Sequence, residues 1–160
     1  MLPILESLEA RNLMAANVFI NPASGDLSIT FDNHIRNTAD VYASAPGLIT
    51  IHAEDGNEST TVTFPALRIQ QIHYTGNAVF ADLFNWTDVP ETVDISGEQL
   101  QVVKYGGGSA TINAHSTGYA MIVDYGPGFV DATVDSPFTI SLLNYGSTIS
   151  VTGYHQAMWK

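Results

Sequence analysis

Four residues of this chain keep step with its glycines. His73, Asp94 and His115 each stand three residues before a glycine (Gly76, Gly97 and Gly118), and His52 stands four before Gly56. If the intervals between those glycines were the coils of a solenoid, the four side chains would form one column. Imidazole and carboxylate on neighbouring coils would then reach a single Zn²⁺, which takes such ligands at about 2.0–2.2 Å. The alternative is a solvated ladder of polar side chains on an outward face. His34 and His155 fit neither arrangement. A second chemistry would need paired carboxylates flanking a groove, as in glycoside cleavage. Asp124, Asp131 and Asp135 are the densest acids of the C-terminal half, and their spacing defines no acid–base pair. The chain carries no Gly-x-Ser-x-Gly elbow, no His-Glu-x-x-His and no phosphate-binding loop. Trp86 and Trp159 could stack on sugars; the packing alternative is a turn beside Pro90 for the first and a cap on the last coil for the second.

Those residues are positioned by a repeat. Val102-Val-Lys-Tyr-Gly106 returns as Ile122-Val-Asp-Tyr-Gly126 and again as Leu142-Leu-Asn-Tyr-Gly146, placing Tyr105, Tyr125 and Tyr145 20 residues apart. Each copy has two apolar residues, one polar residue and Tyr-Gly. A fixed period of this size indicates stacked supersecondary units. Pairs at 63, 83, 103, 123 and 143 extend the same step backward. From Asn17 onward the chain is a series of short runs rich in Val, Ile, Thr, Phe and Tyr, separated by Gly, Asn, Asp and Pro. Among them are Arg68–Tyr74, Val79–Phe84, Leu100–Tyr105, Ala120–Tyr125 and Thr148–Tyr154. No later window sustains a helical period.

The expected fold is therefore all-β, a parallel β-helix or β-solenoid with coils of about 20 residues. An antiparallel β-sandwich is the alternative, since two of its strands also fill such a step. A solenoid favours the same residue types in register, and aromatic ladders such as Tyr105, Tyr125 and Tyr145 are what stacking rewards. Residues 17–160 read as a single solenoid domain of about six coils, preceded by a distinct segment over residues 1–16. The bulky end of the chain, Tyr154-His-Gln-Ala-Met-Trp-Lys160, reads as a break in the period that covers the last coil.

Composition excludes several functions. The chain has 160 residues, enough for one domain that buries about 70% of its unfolded surface. It has no cysteine, so neither disulfides nor thiolate metal sites are available. Sixteen acids against five bases give a net charge of −11. Such a chain offers no electrostatic footprint to nucleic acid or anionic lipid, and its charged partners would be cations such as Ca²⁺, or uncharged glycans. No apolar run is long enough to cross a membrane as a helix.

Two stretches carry a resemblance. Leu5-Glu-Ser-Leu-Glu-Ala-Arg-Asn-Leu-Met-Ala-Ala16 resembles the Leu-Glu-x-Leu-Glu-x-Arg-x-Leu-Leu-(Ser/Ala)-Ala motif that opens many extracellular proteins of planctomycete bacteria, with Met14 in place of the second Leu. Ile69-Gln-Gln-Ile-His-Tyr74, Gly76-Asn-Ala-Val-Phe80, Asn85-Trp-Thr-Asp-Val-Pro90 and Asp94-Ile-Ser-Gly97 resemble the degenerate repeats-in-toxin-type calcium segments of the same proteins. The resemblance implies export or surface display, a parallel β-roll or β-helix, and calcium held between coils. The calcium pattern, Gly-Gly-x-Gly-x-Asp-x-apolar-x, is incomplete. Gly76-Asn77-Ala78 lacks the acids, Gly106–Ile112 has Thr111 at the Asp position, and Asp55 with Glu58 around Gly56-Asn57 is the best remaining cation candidate. The expected function is a secreted or cell-surface structural or binding module, not an enzyme, with residual calcium binding and with glycans or matrix components as partners. The alternatives are a carbohydrate-active or glycan-binding β-helix and a sandwich-type adhesion domain.

Overall fold

The computed structural model describes residues 16–32, 36–144 and 146–159. Residues 5–15 of the N-terminal motif, His34 and Tyr145 lie outside the described residues. Five long strands dominate: β6 (Gln71–Asn85), β7 (Glu91–Lys104), β8 (Ala110–Asp124), β9 (Val130–Leu143) and β10 (Thr148–Trp159), after β1 (Asn17–Ile20), β2 (Asp26–Asp32), β3 (Arg36–Ala45), β4 (Leu48–Asp55) and β5 (Glu58–Pro65). Strands β6 to β10 pair in parallel, each with the next. Parallel neighbours need a crossover that returns the chain to the same end, and here the return is the strand itself, bent midway. The protein is thus a parallel β-solenoid of about five turns with coils about 19 residues apart, and the sandwich alternative falls.

Alternation within each strand builds the interior. The first halves send in Ile72 and Tyr74, Val93 and Ile95, Ile112 and Ala114, Ala132 and Val134, all buried. From the second halves come Ala81 and Leu83, Leu100 and Val102, Ala120 and Ile122. Fully burying each of the larger aliphatic side chains stabilises by about 1.5–3 kcal/mol. Between the halves the chain must bend hard against the preceding rung. Gly76 does so with φ +129°, and a Cβ there would lie 2.1 Å from the Phe31 carbonyl oxygen, so only glycine fits.

The first rung is split. β2 runs parallel to the first half of β6, and Arg36–Val41 of β3 runs parallel to Phe80–Asn85. The chain then departs from the solenoid. β4 pairs antiparallel with β3, and β5 antiparallel with β4, while β1 lies antiparallel on β2. These strands cover the edge of the first rung and abolish most of its exposed backbone. The expectation of a coil through position 63 is therefore corrected: Thr63 sits opposite Thr50 in a hairpin. The reason is the two-residue loop Gly56-Asn57, with Gly56 at φ +65°, which closes antiparallel strands only.

The other end differs from expectation too. β10 does not break the period; it continues in parallel register up to Trp159 opposite Leu143, with one irregularity near Gly153. The bulky C-terminal residues form a further rung, not a cap across the interior.

Candidate functional site

Register decides which candidate residues meet. Opposite His73 lies Thr92, opposite Asp94 lie Thr75 and Asn113, and opposite His115 lie Ser96 and Asp135. His73, Asp94 and His115 thus share the outward face of the first half-strands but stand in three different columns. The single-column expectation fails because the step from β6 to β7 is 19 residues, as in Ile72 opposite Glu91, whereas the glycines are spaced by 21. His52 is farther away, in the β4–β5 hairpin, with Nδ1 2.8 Å from Thr61 Oγ1 and Nε2 3.3 Å from Glu54 Oε1. Asp55 and Glu58 are cross-strand partners flanking the hairpin turn, the former buried and the latter exposed, and Asp55 lies opposite Asn37 of β3 in antiparallel register, not on a parallel coil. Among the described residues no group of three or more His, Asp or Glu side chains is arranged to hold a metal ion.

The outward face itself is an ordered polar lattice. One column reads Ser28, His73, Thr92, Thr111, Asp131, Thr148, and the next Thr30, Thr75, Asp94, Asn113, Thr133, Ser150. Rungs are about 4.8 Å apart, and several neighbours are hydrogen-bonded across them. Gln71 Nε2 donates to Thr92 Oγ1 at 2.7 Å, Thr148 Oγ1 to Asp131 Oδ1 at 2.6 Å, and His115 Nδ1 lies 2.9 Å from Asp135 Oδ2. His73 Nε2 lies 3.7 Å from Asp26 Oδ1. Of the three acids considered for glycoside chemistry, Asp131 and Asp135 belong to this face, in separate columns. Asp124 does not reach solvent at all.

The repeat of two apolar residues, one polar residue and Tyr-Gly now has a physical meaning. Val102 points inward, Val103 outward against Phe84 and Val123, Lys104 inward, and Tyr105 outward. The outward tyrosines stack: Trp86 on Tyr105 with ring centroids 3.7 Å apart, and Tyr105 on Tyr125 at 5.1 Å. Trp86 therefore belongs to the aromatic ladder. Tyr105 is covered on both faces, whereas Trp86 and Tyr125 at the two ends of the stack stay about half exposed. The following glycines let the turns stack. A Cβ on Gly106 would lie 1.7 Å from Thr87 O, one on Gly126 2.0 Å from Gly106 O, and one on Gly128 2.2 Å from Gly108 O. Close backbone approach is thus the reason for these glycines. In the turn below, Asp88 Oδ1 accepts a hydrogen bond from Gly107 N at 2.6 Å.

The inward polar residues form a buried corner that sequence reasoning missed. Asn85, Lys104 and Asp124 are register partners on β6, β7 and β8, with Lys104 1% and Asp124 0% exposed. Lys104 Nζ donates to Gly106 O and lies 3.3 Å from Asp124 Oδ1. Gly126 N donates to that same oxygen at 3.0 Å, and Asn144 Nδ2 to Asp124 Oδ2 at 2.9 Å. Asn85 Oδ1 accepts from Thr87 N at 2.9 Å and Thr87 Oγ1 at 2.7 Å, and Asn85 Nδ2 donates to Glu91 Oε2 at 2.9 Å. Glu91, the inward residue that opens β7, is 3% exposed, and its Oε1 has no hydrogen-bond partner. Burial pushes its carboxyl up from the ordinary 4.5 to about 7, against the Asn85 hydrogen bond and the Lys104 charge that pull it down. The same burial raises the Tyr74 hydroxyl, with Glu91 and Asp40 adding to the effect. The available signal was parity: Lys104 stands two residues after inward Val102, and Glu91 two before inward Val93.

No protein family, curated protein or solved structure matches the chain. The solenoid implied by the planctomycete resemblance is present in the structure; the family itself rests on the quoted motifs alone. No helix among the described residues is long and apolar enough to cross a membrane.

Proposed function

We propose that this chain is a structural or binding module of the extracellular or cell-surface kind, in which the solenoid is a rigid frame and its polar face the contact surface. The observation that carries the reading is the two-column lattice from Ser28 and Thr30 to Thr148 and Ser150, held in register by the parallel ladder. Short hydroxyl, amide and carboxyl groups at a fixed rung spacing suit a partner that is itself a repeating, uncharged, hydroxyl-rich polymer. With five bases against sixteen acids, an anionic polymer would be repelled. Surface display is supported by the N-terminal motif. The reading needs no calcium, because apolar rungs and stacked turns account for the fold. The carboxylate chemistry of a glycosidase finds little support, since Asp124 is buried against Lys104 and Asp131 and Asp135 each engage a neighbouring rung.

The test is co-sedimentation of the purified chain with a panel of insoluble neutral polysaccharides, with a reducing-end assay on each supernatant. Binding without release of sugar is the expected result. Release of sugar that is abolished by Asp131→Asn would replace this reading with the enzymatic one.

A further inference from the structure

A buried lysine in so acidic a chain is an expense unless something is made of it. Lys104 is one of five bases, yet its ammonium is withdrawn from water and placed 3.3 Å from a carboxylate oxygen of Asp124. The two residues are direct register partners on adjacent parallel strands, so the hydrogen-bonded ladder fixes their backbones about 4.8 Å apart. Both Asp124 oxygens already receive N–H donors, from Gly126 and from Asn144. Donors in those positions also stabilise the charge that develops on oxygen when a carboxyl carbon is attacked. Glu91 is inward on the same strand as Lys104, is buried, has one oxygen without a partner, and its other oxygen accepts a 2.9 Å hydrogen bond from Asn85, the register partner of Lys104.

We propose that Lys104 and Asp124 form an intramolecular isopeptide bond that ties β7 to β8 within the solenoid, with Glu91 as the proton carrier. The pair first exchanges a proton: the ammonium becomes an amine and the carboxylate an acid. This cancels two charges in a site where isolated charge is costly. The amine lone pair then attacks Asp124 Cγ. The Nζ–Cγ bond forms, one Cγ–O bond breaks, and the oxygen departs as water. Of the two protons on that water, one is the acid's own and the other is lost by Nζ as the amide forms, carried across by Glu91. Atoms and charge balance with no co-reactant. Holding nucleophile and electrophile in contact supplies the rate advantage that the same condensation lacks in solution.

The experiment is the intact mass of the denatured full chain, followed by a chymotryptic map in which cleavage after Tyr105 and Tyr125 separates the two residues. The expected wild-type mass is lower than the sequence mass by one water, with the Lys104 peptide recovered joined to the Asp124 peptide. Glu91→Gln and Lys104→Arg should keep the full sequence mass while retaining a β-type circular dichroism spectrum. A wild-type chain at full sequence mass overturns the proposal. So does loss of water mapped to a peptide without Lys104. Loss of one ammonia with Lys104 joined to Asn85 would also overturn it, placing the bond on the opposite rung.

Discussion

Replacing Glu91 by Gln should remove most of the loss of stability that the wild type shows between pH 4 and pH 8, whatever constant difference the variant carries at both pH values. Gln keeps the acceptor for Asn85 Nδ2, the one hydrogen bond that Glu91 Oε2 makes, and removes the ability to ionise. The folded-state carboxyl titrates at about 7 against an ordinary 4.5. The native state therefore holds a proton that the unfolded chain releases between those values. Stability is fully present below 4.5, falls as pH rises through 4.5 to 7, and is level above that. At about 1.4 kcal/mol per pH unit the loss amounts to about 3 kcal/mol. The side chain is almost wholly buried, so solvent screening takes little from it. Urea unfolding of wild type and variant at pH 4 and pH 8 provides the assay. Taking the difference between the two pH values for each protein cancels the other carboxyls and any pH-independent effect of a crosslink. The expected double difference favours the variant by about 3 kcal/mol. A double difference near zero would refute the burial argument.

Three further outcomes follow from the stacked turns and ladders. Gly126→Ala forces a Cβ to within 2.0 Å of the Gly106 carbonyl oxygen and should cost about 3 kcal/mol in urea unfolding, the upper end of overpacking effects; a neutral result would mean the turns are not in contact. Tyr105→Ala removes the ring between Trp86 and Tyr125. Its loss should cost about 1–3 kcal/mol from two stacking contacts and should change the near-UV circular dichroism; a stability change under about 0.5 kcal/mol would show that the ladder contributes only surface. Thermal melts in EDTA and in millimolar Ca²⁺ should share one midpoint, since no cluster of acids among the described residues can hold the ion. A rise of many degrees with Ca²⁺ would show, by linkage, that the turns retain ion sites.

The solenoid was legible because Val102–Gly106 and its two copies keep residue types in step, which only stacking explains. Finer register was not legible. A rung is set by backbone pairing, whose step is 19 between Ile72 and Glu91 and 17 between Asp131 and Thr148, and bends such as those at Gly97 and Gly153 shift it by a further residue within a strand. This slip dispersed the His73, Asp94 and His115 column. The β4–β5 hairpin escaped because Thr61–Phe64 has the same alternation as a rung, and only Gly56-Asn57 distinguishes them. The C-terminal rung was not legible because only Thr148–Val151 alternates, while Tyr154–Trp159 joins it through backbone pairing. The buried corner lay in plain view as the polar position of the repeat. It was missed because charged residues are ordinarily assigned to the surface, and only strand parity places Lys104 and Asp124 inside.

Thr111 and Thr133 sit at the centre of the polar face, exposed and without a role in the interior. Co-sedimentation with a bound neutral polysaccharide should therefore be compared between wild type and a Thr111→Lys/Thr133→Lys variant of unchanged melting temperature. If the polar face is the contact surface, the variant loses at least about tenfold in affinity, about 1.4 kcal/mol. A variant that binds as tightly as wild type would contradict it.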